Sequence, residues 1–381
     1  MNNEKLFDIE KGIQPRLPAI AWRADPSGSP VTLVTGCSTT RFDESKLVRT
    51  ASKAWFPGTD DHLCNVSLPI ALRAAASGRR AIVQCAEAQC ETLRSLISTL
   101  PCSKNLSVLS ADLGSEKWLS DLECLLAEIA LGMPISRLDF VLYESYTADA
   151  ARPFLPTWEE NADVLGAAIT RRVIFFQNVS NYAYDLVLRR NQKEIRVQAL
   201  TALASFRPAA YLFADAAHKA VSSTFLQSWA REAVHYVDVP VSIVELCPGI
   251  VDTGLYDPLP VRRVGWDKAE LGHAPFSGSL DDDLSSWPML SPWDIAAVAI
   301  WYQEAEWGRS PKDDLSERMR RLLSAGRDPQ TVARKVKEAA EGIVANDLPL
   351  YAYYPGYPWG SMPSLQNGYA PVFMTPRGQF V

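Results

Sequence analysis

Three side chains with acid–base chemistry, Asp215, His218 and Lys219, are close together in the sequence. Their spacings of i, i+3 and i+4 would place them on one face of a helix, where a carboxylate and an ammonium group can transfer protons. Tyr211 lies one helical turn before Asp215 and could offer its phenol to the same cleft. The spacing also fits a helical ion pair worth about 0.3 kcal/mol, with a hydrogen-bonded histidine and a packed tyrosine beside it.

Two further polar side chains, Glu144 and Tyr146, follow an apolar run that ends at Leu142. Such a run between helical stretches predicts a buried strand, and open α/β sheets bind their ligands at the carboxyl ends of such strands. Glu144 and Tyr146 are therefore predicted to contact a substrate. The alternative is that both side chains only fill this end of the sheet.

The elements that would position these residues alternate between buried strands and helices. A helix with 3.6-residue periodicity is predicted over 209–236, and a longer helical region over 158–190. This alternation implies right-handed crossovers, so the sequence predicts a Rossmann-type α/β fold, a doubly wound parallel sheet with helices on both faces. The predicted strands are 31–36, 81–83, 106–109, 138–142, 195–200 and 241–246, with another helix over 68–77.

The composition is typical of a globular chain with a large core, because 47% of the 381 residues are hydrophobic and 22% are charged. The net charge of -6, without a basic run, predicts no binding to nucleic acid or to a membrane surface. The 7 cysteines lack metal-ligand spacing and are predicted to be reduced thiols of a cytoplasmic protein without a metal site. We expect neither a signal peptide nor a membrane-spanning segment.

Several segments resemble motifs of the short-chain dehydrogenase/reductase family. The best match is Pro248-Gly249 with Thr253, which is similar to the family's turn beside the nicotinamide. Asp112 is similar to the family's adenine-contacting Asp, and Lys219 lies where the family has its active-site Lys. Each motif is weak alone, and the resemblance rests on their order along the chain.

This resemblance, which covers roughly residues 31–356, implies a nicotinamide dinucleotide, NAD(P), as cofactor. It also implies an active-site asparagine, for which Asn178 is the candidate. Many relatives pair through the long helix that contains the Lys, which predicts a homodimer. The candidate cofactor-binding residues are Gly36, Asp112, Pro248, Gly249 and Thr253.

The chain is predicted to form one domain of this kind. It would consist of an N-terminal extension over 1–29 and a Rossmann core over 30–254, with an insertion at about 39–65. The resemblance implies a substrate-lid region over 255–345. An irregular tail rich in aromatic residues, Pro and Gly would follow over 346–381.

The first departure from the family concerns its grip on the cofactor. The family's first turn has three glycines, which let the backbone approach the pyrophosphate. Here only Gly36 is present, and the next two positions are Asn65 and Ser67 beyond an insertion, or Thr40 and Phe42 without it. We favour the first alignment because a helix is predicted directly after it. In both, side chains occupy space that the phosphates need, which makes NAD(P) a doubtful cofactor.

The second departure concerns the catalytic residues. The family's catalytic Tyr precedes its Lys by four residues, and that position is Asp215 here. The catalytic Ser aligns with Ala202, with Thr201 beside it. An Asp next to Lys219 is expected to be ionised at neutral pH and to act as a base, unless burial raises its pKa.

Three functions are compatible with this pattern. The first is a non-redox tailoring enzyme of secondary (natural-product) metabolism that isomerises, cyclises or dehydrates a small hydrophobic molecule. Asp215 would be its base, tuned by His218 and Lys219. The second is an NADP-dependent oxidoreductase with an atypical proton donor, and the third is a non-catalytic scaffold. We rank them in this order.

Overall fold

The computed structural model describes the chain in several stretches. They are residues 19–38, 66–115, 117–144, 161–202, 213–237 and 241–248, positions 205 and 239, six positions between 292 and 303, and the pairs 352–353 and 373–374. The predicted insertion and most of the predicted lid region lie outside the described residues, as do four candidate site residues. These four are Tyr146, Tyr211, Gly249 and Thr253.

Eight described strands form one sheet. Their bounds are β1 Ser29–Val34, β2 Arg80–Cys85, β3 Leu106–Ser110, β4 Ile135–Leu142, β5 Ile195–Leu200, β6 Val241–Leu246, β7 Ala352–Tyr353 and β8 Phe373–Met374. The strand order is β3-β2-β1-β4-β5-β6-β7-β8. All neighbours pair in parallel except β7 and β8, which are antiparallel. The order of the first six strands is that of a Rossmann-type sheet.

Helices connect the parallel strands. Their bounds are α1 Ser67–Ala76, α2 Cys90–Ser98, α3 Lys117–Gly132, α4 Ala162–Leu188 and α5 Phe213–Tyr236. The long helix α4 begins after Asn161, whose side chain accepts hydrogen bonds from the backbone N–H groups of Asp163 and Val164. Among the helices of the described stretches, none is both long and apolar enough to cross a membrane.

Apolar side chains pack on both faces of the sheet. Successive strand residues alternate between the faces, so Val34 and Val83 enter a core beneath α1 and α2, while Leu33 and Ile82 enter the opposite core. The opposite core includes aromatic side chains of α4 and α5, such as Phe176. Because both faces of the central strands are buried, their sequences are nearly continuous apolar runs.

The predicted Rossmann-type α/β fold is confirmed. The predicted ranges 195–200 and 241–246 coincide with β5 and β6, and α1 differs from its predicted range by one residue at each end. Helices α2 and α3 were not predicted, although Trp118 and Leu122 of α3 repeat at helical spacing.

The described part of the tail differs from the prediction. We expected an irregular segment, but β7 and β8 extend the sheet beyond β6, and their antiparallel pairing makes the sheet mixed. Segments of two residues have no periodicity. Their pairing depends on hydrogen bonds to strands far away in the sequence, so the sequence pattern could not reveal them.

A buried ionic network joins the N-terminal segment to helices α3 and α4. Glu123 of α3 accepts hydrogen bonds from the indole N–H of Trp22, at 3.1 Å, and from the hydroxyl of Tyr182. It also pairs with Arg190, whose other partner is Asp185, at 2.5 Å. The side chains of Arg190 and Asp185 are fully buried. Each charge in this network has an opposite charge in contact with it, which offsets the cost of burial.

Candidate active site

The candidate site lies at the carboxyl edge of the central strands. Tyr143 and Glu144 directly follow β4, Thr201 follows β5, and Cys247 follows β6. Gly36 lies in the turn after β1, and the hydroxyl of Thr35 beside it donates a hydrogen bond to the carbonyl of Tyr143, at 2.9 Å. The strand order therefore brings together segments that are more than a hundred residues apart, at the edge where open α/β sheets bind ligands.

Lys219 of α5 extends into this edge and is buried, with 5% of its surface exposed. Its Nζ lies 4.8 Å from the centre of the Tyr143 ring, close enough for a cation–π contact. Burial, together with the charge of Arg172, lowers the pKa of Lys219 to about 8, although the charges of Asp215 and Glu144 oppose this shift. Lys219 is therefore not a solvent-exposed helical charge, and it can exchange a proton near neutral pH.

His218 contacts Arg172 of α4, which is 46 residues away in the sequence. The distance from Arg172 Nη1 to His218 Nδ1 is 2.6 Å, and because arginine only donates, this ring nitrogen accepts. Burial lowers the pKa of His218 far below its usual range, and the charges of Arg172 and Lys219 act in the same direction. His218 is therefore neutral at physiological pH and holds Arg172 in place.

Arg172 is the central cation of this cluster, and the sequence analysis did not identify it. It is buried, donates to the carbonyl of Glu144 at 3.0 Å and to the hydroxyl of Ser222, and lies 5.8 Å from the centre of the Phe176 ring. Two adjacent arginines in the otherwise apolar centre of a predicted helix were the available signal, because a buried arginine needs partners.

Glu144 provides a buried carboxyl at the end of β4. Its Oε1 accepts a hydrogen bond from Arg171 Nε at 3.3 Å, whereas Oε2 has no hydrogen-bond partner among the described residues. Burial raises the pKa of Glu144, and the charges of Arg172 and Arg171 only partly oppose the shift. A carboxyl with a raised pKa can donate or accept a proton closer to neutral pH.

Asp215 is half-buried at the start of α5, one helical turn before Lys219. The two side chains form no ion pair in the described part of the chain, but the charge of Asp215 acts on both Lys219 and Arg172. Asn178 of α4 is buried, but it makes no hydrogen bond to this cluster in the described stretches, and its side-chain nitrogen has no partner there. The structure thus groups Asp215, His218, Lys219 and Glu144, and leaves Asn178 apart.

The turn after β1 tests whether a dinucleotide fits. Gly36 has a φ of 67°, and its backbone N–H donates to the side-chain oxygen of Gln84 at 2.7 Å. The hydroxyl of Ser67, the first residue of α1, donates to the carbonyl of Gly36 at 3.0 Å and is fully buried. In the described part of the turn, the N–H and the carbonyl of Gly36 are therefore bonded to the protein's own side chains. This N–H does not fit the family's backbone grip on a pyrophosphate, which needs open N–H groups.

The adenine side of the crevice contains a similar internal contact. Arg171 Nη2 pairs with Asp112 Oδ1 at 2.5 Å, and the same guanidinium contacts Glu144. Asp112 also accepts a hydrogen bond from the backbone N–H of Gly114 at 2.9 Å. The Asp that resembles the family's adenine contact is thus engaged by Arg171. Pro248 is buried after β6.

A Gly36→Ala substitution is expected to lower the free energy of unfolding by about 2–4 kcal/mol. The positive φ disfavours any side chain, and a Cβ at this position would lie 2.3 Å from the carbonyl oxygen of Tyr143. Urea denaturation followed by circular dichroism measures the change. Gly132→Ala is the matched control, because a Cβ there meets nothing within 4 Å. Equal stabilities of the two variants would contradict the prediction.

Comparison with known proteins gives similarity in fold only. No family model matches the chain, and no curated protein matches it. A short-chain dehydrogenase from Streptomyces avermitilis is 17% identical, with 74% of this chain and 86% of that chain covered and a TM-score of 0.47. The 3-oxoacyl-[acyl-carrier protein] reductase from Brucella melitensis in complex with NAD is 16% identical. The match covers 72% of this chain and 89% of that chain, with a TM-score of 0.45.

A third structure, YwfH, an NADPH dependent reductase involved in bacilysin biosynthesis, is 14% identical. The match covers 72% of this chain and 90% of that chain, with a TM-score of 0.46. These scores are too low to bear on activity. The fold assignment rests on the strand order and the parallel pairing described above, and the alternation of strands and helices in the sequence predicted the parallel sheet.

Proposed function

We propose that the chain is an enzyme that moves a proton within a small hydrophobic molecule without transferring hydride, in an isomerisation, cyclisation or dehydration. The observation that supports this proposal most is Lys219, a buried lysine with a pKa of about 8 beside Asp215 and Glu144 at the carboxyl edge of the sheet. The Gly36 backbone supports it further, because its N–H is bonded to Gln84 and is not open to a pyrophosphate.

In the proposed reaction Asp215 removes a proton from the substrate and returns it, or passes it on, at another position. Lys219 in its ammonium form stabilises the negative charge that develops on the substrate. Glu144 orients the substrate, and we assign Tyr146 and Tyr211 the same role. Neutral His218 and Arg172 hold the facing surfaces of α5 and α4 in place. Because the ammonium form is needed, the rate should fall as the pH rises above about 8.

The proposed class of substrate rests on fewer observations than the proposed chemistry. The partly buried ring of Tyr143, which packs against the apolar core at this edge, suits contact with a hydrophobic molecule. The assignment to natural-product tailoring rests on the sequence resemblance alone, and we keep it as part of the proposal, together with a homodimeric state.

The decisive experiment compares the metabolites of cells with and without the gene, followed by incubation of the purified protein with the molecule that accumulates. The proposal expects a product of unchanged mass, or one lighter by one water, formed without added nucleotide. For an isomerisation or a cyclisation in D₂O, the product should gain deuterium at carbon where Asp215 exchanges its proton with solvent before returning it. A mass change of two hydrogen atoms that requires NADPH would replace the proposal with an oxidoreductase.

Titration with NADPH provides a second, substrate-free test. We expect no saturable change in nicotinamide fluorescence or thermal stability in the micromolar range, because the Gly36 N–H and Ser67 hydroxyl are already bonded within the protein. Saturable binding would favour the NADP-dependent reading, with Asp112, Lys219 and Pro248 as contacts. Inorganic pyrophosphate is the control for non-specific anion binding.

A further inference from the structure

A second polar cluster lies directly behind the candidate site, around Glu245. This residue is in the middle of the sheet on β6, where a run of apolar residues is expected, and its side chain is fully buried. Its Oε1 accepts a hydrogen bond from the Thr201 hydroxyl at 2.6 Å and another from the Ser223 hydroxyl. Cys247 Sγ lies 3.1 Å from the same Thr201 oxygen.

The bonding pattern shows how this carboxyl can hold a proton. Both hydroxyls donate to Oε1, while Oε2 has no hydrogen-bond partner among the described residues. Nor does any lysine or arginine of the described stretches form an ion pair with Glu245, in contrast to Glu123. Burial of this carboxyl without an ion pair favours its neutral form, whereas the groups that donate to it favour the charged form. Burial raises the pKa of Glu245 to about 7, against the effect of the Ser223 and Thr201 hydrogen bonds.

The cluster is joined to the site through two elements. Ser223 lies one helical turn after Lys219 on α5, and its hydroxyl is 3.3 Å from the backbone oxygen of Lys219. Thr201 follows β5, and in the described residues its hydroxyl is the group from that side of β6 that donates to Glu245. The charge of Glu245 also acts on Arg172. A change in the charge of Glu245 therefore acts on Ser223 next to Lys219 and on Arg172.

We propose that Glu245 is a positioning residue that holds the Thr201 hydroxyl and the Lys219 segment of α5, and that it changes the charge behind the candidate site by gaining or losing a proton. Its effect on turnover rests on the proposed function, whereas its proton exchange does not. Among the described residues, the charged or titratable groups of this region include Arg172 of α4, three residues of α5, Asp215, His218 and Lys219, then Tyr143 and Glu144 after β4, and Cys247 after β6.

The first arm of the test is the pH dependence of thermal stability in wild type and in Glu245→Gln, which keeps the shape and the acceptor oxygen but cannot ionise. The pKa of Glu245 is raised in the folded protein from 4.5 to about 7, so the folded state holds a proton that the unfolded state has lost within this window. Wild-type stability from this group is therefore lost as the pH rises through the window. The Tm of Glu245→Gln minus that of wild type should increase from about pH 5 to about pH 7 and then level off.

Glu232→Gln is the matched control, because Glu232 is exposed on α5. Its Tm difference from wild type should not change with pH in this window. A flat difference for Glu245→Gln as well would overturn the proposal, whatever reaction the protein catalyses.

The second arm measures the pH profile of turnover with the substrate found by metabolite comparison. We expect an inflection near pH 7 in the profile of wild type, and Glu245→Gln should shift or remove it. Ser223→Ala should lower the rate in the same pH range, because it removes one of the two hydrogen bonds that hold Glu245 Oε1. An unchanged profile beside a positive thermal result would refute the positioning role. If wild type forms no product, the proposed function fails and the thermal arm alone decides on proton exchange.

Discussion

Replacing Lys219 with methionine is expected to slow product formation by about a hundredfold to a thousandfold, the range for loss of a group that stabilises the charge developing on the substrate. Methionine keeps much of the length of the side chain and removes the ammonium group that lies over Tyr143. Because Lys219 is buried, its loss also removes a charge whose burial is costly, so the variant should remain folded. The initial rate of product formation, with circular dichroism as the check on folding, measures the effect.

Lys193→Met is the matched control, because Lys193 is exposed in the segment before β5. Its rate should remain within about twofold of wild type, as surface substitutions rarely alter a distant site. Asp215→Asn should lower the rate by a similar factor to Lys219→Met, because the proposal makes Asp215 the base. A folded Lys219→Met protein with wild-type rate would contradict the role of Lys219, whereas an unchanged cellular phenotype of both variants would favour the non-catalytic scaffold.

Replacing Glu123 with alanine is expected to lower the free energy of unfolding by about 3–5 kcal/mol. Glu123 is the carboxylate shared by Trp22, Tyr182 and Arg190, and its removal leaves the buried Arg190 with Asp185 as its remaining carboxylate partner among the described residues. Such a loss is a large fraction of the stability of a typical domain. Chemical denaturation followed by circular dichroism measures it.

Glu128→Ala on the same helix is the control, because Glu128 is exposed. Its effect should lie within about 0.5 kcal/mol of zero. Glu123→Gln should be intermediate, since glutamine still accepts a hydrogen bond from Tyr182 but does not pair with Arg190. If Glu123→Ala cost less than about 1 kcal/mol, the network would contribute little to folding, and the N-terminal segment would be held by packing and by backbone hydrogen bonds such as that from Ala24 to Arg190.

The two buried networks differ in a way that bears on function. In the Glu123 network the acids and bases contact one another directly, so each charge is compensated. In the candidate site Glu144 pairs with Arg171, but Lys219 and Glu245 form no ion pair within the described residues. Buried groups without an ion pair cost stability, and proteins tend to retain them where protons are exchanged. This difference supports the proposal that the chemistry takes place at the second network.

The sequence by itself predicted the parts that depend on local pattern. The apolar runs at 195–200 and 241–246 have the length and composition of buried strands, and they are β5 and β6. The helical spacing of Asp215, His218 and Lys219 predicted their grouping on α5. The position of Glu144 after β4 predicted its place at the carboxyl edge of the sheet. These predictions succeed because the periodicity of a helix or strand is fixed within a few residues.

Only the tertiary structure decided which groups meet and how strongly each is shifted. Arg172 reaches His218 across 46 residues of sequence because α4 and α5 pack side by side on one face of the sheet. Glu245 meets Thr201 because β5 and β6 are neighbouring strands in register. A side chain's pKa depends on its removal from water and on charges brought near by folding. No local pattern contains that information, so the sequence named the acids and bases while the fold set their protonation.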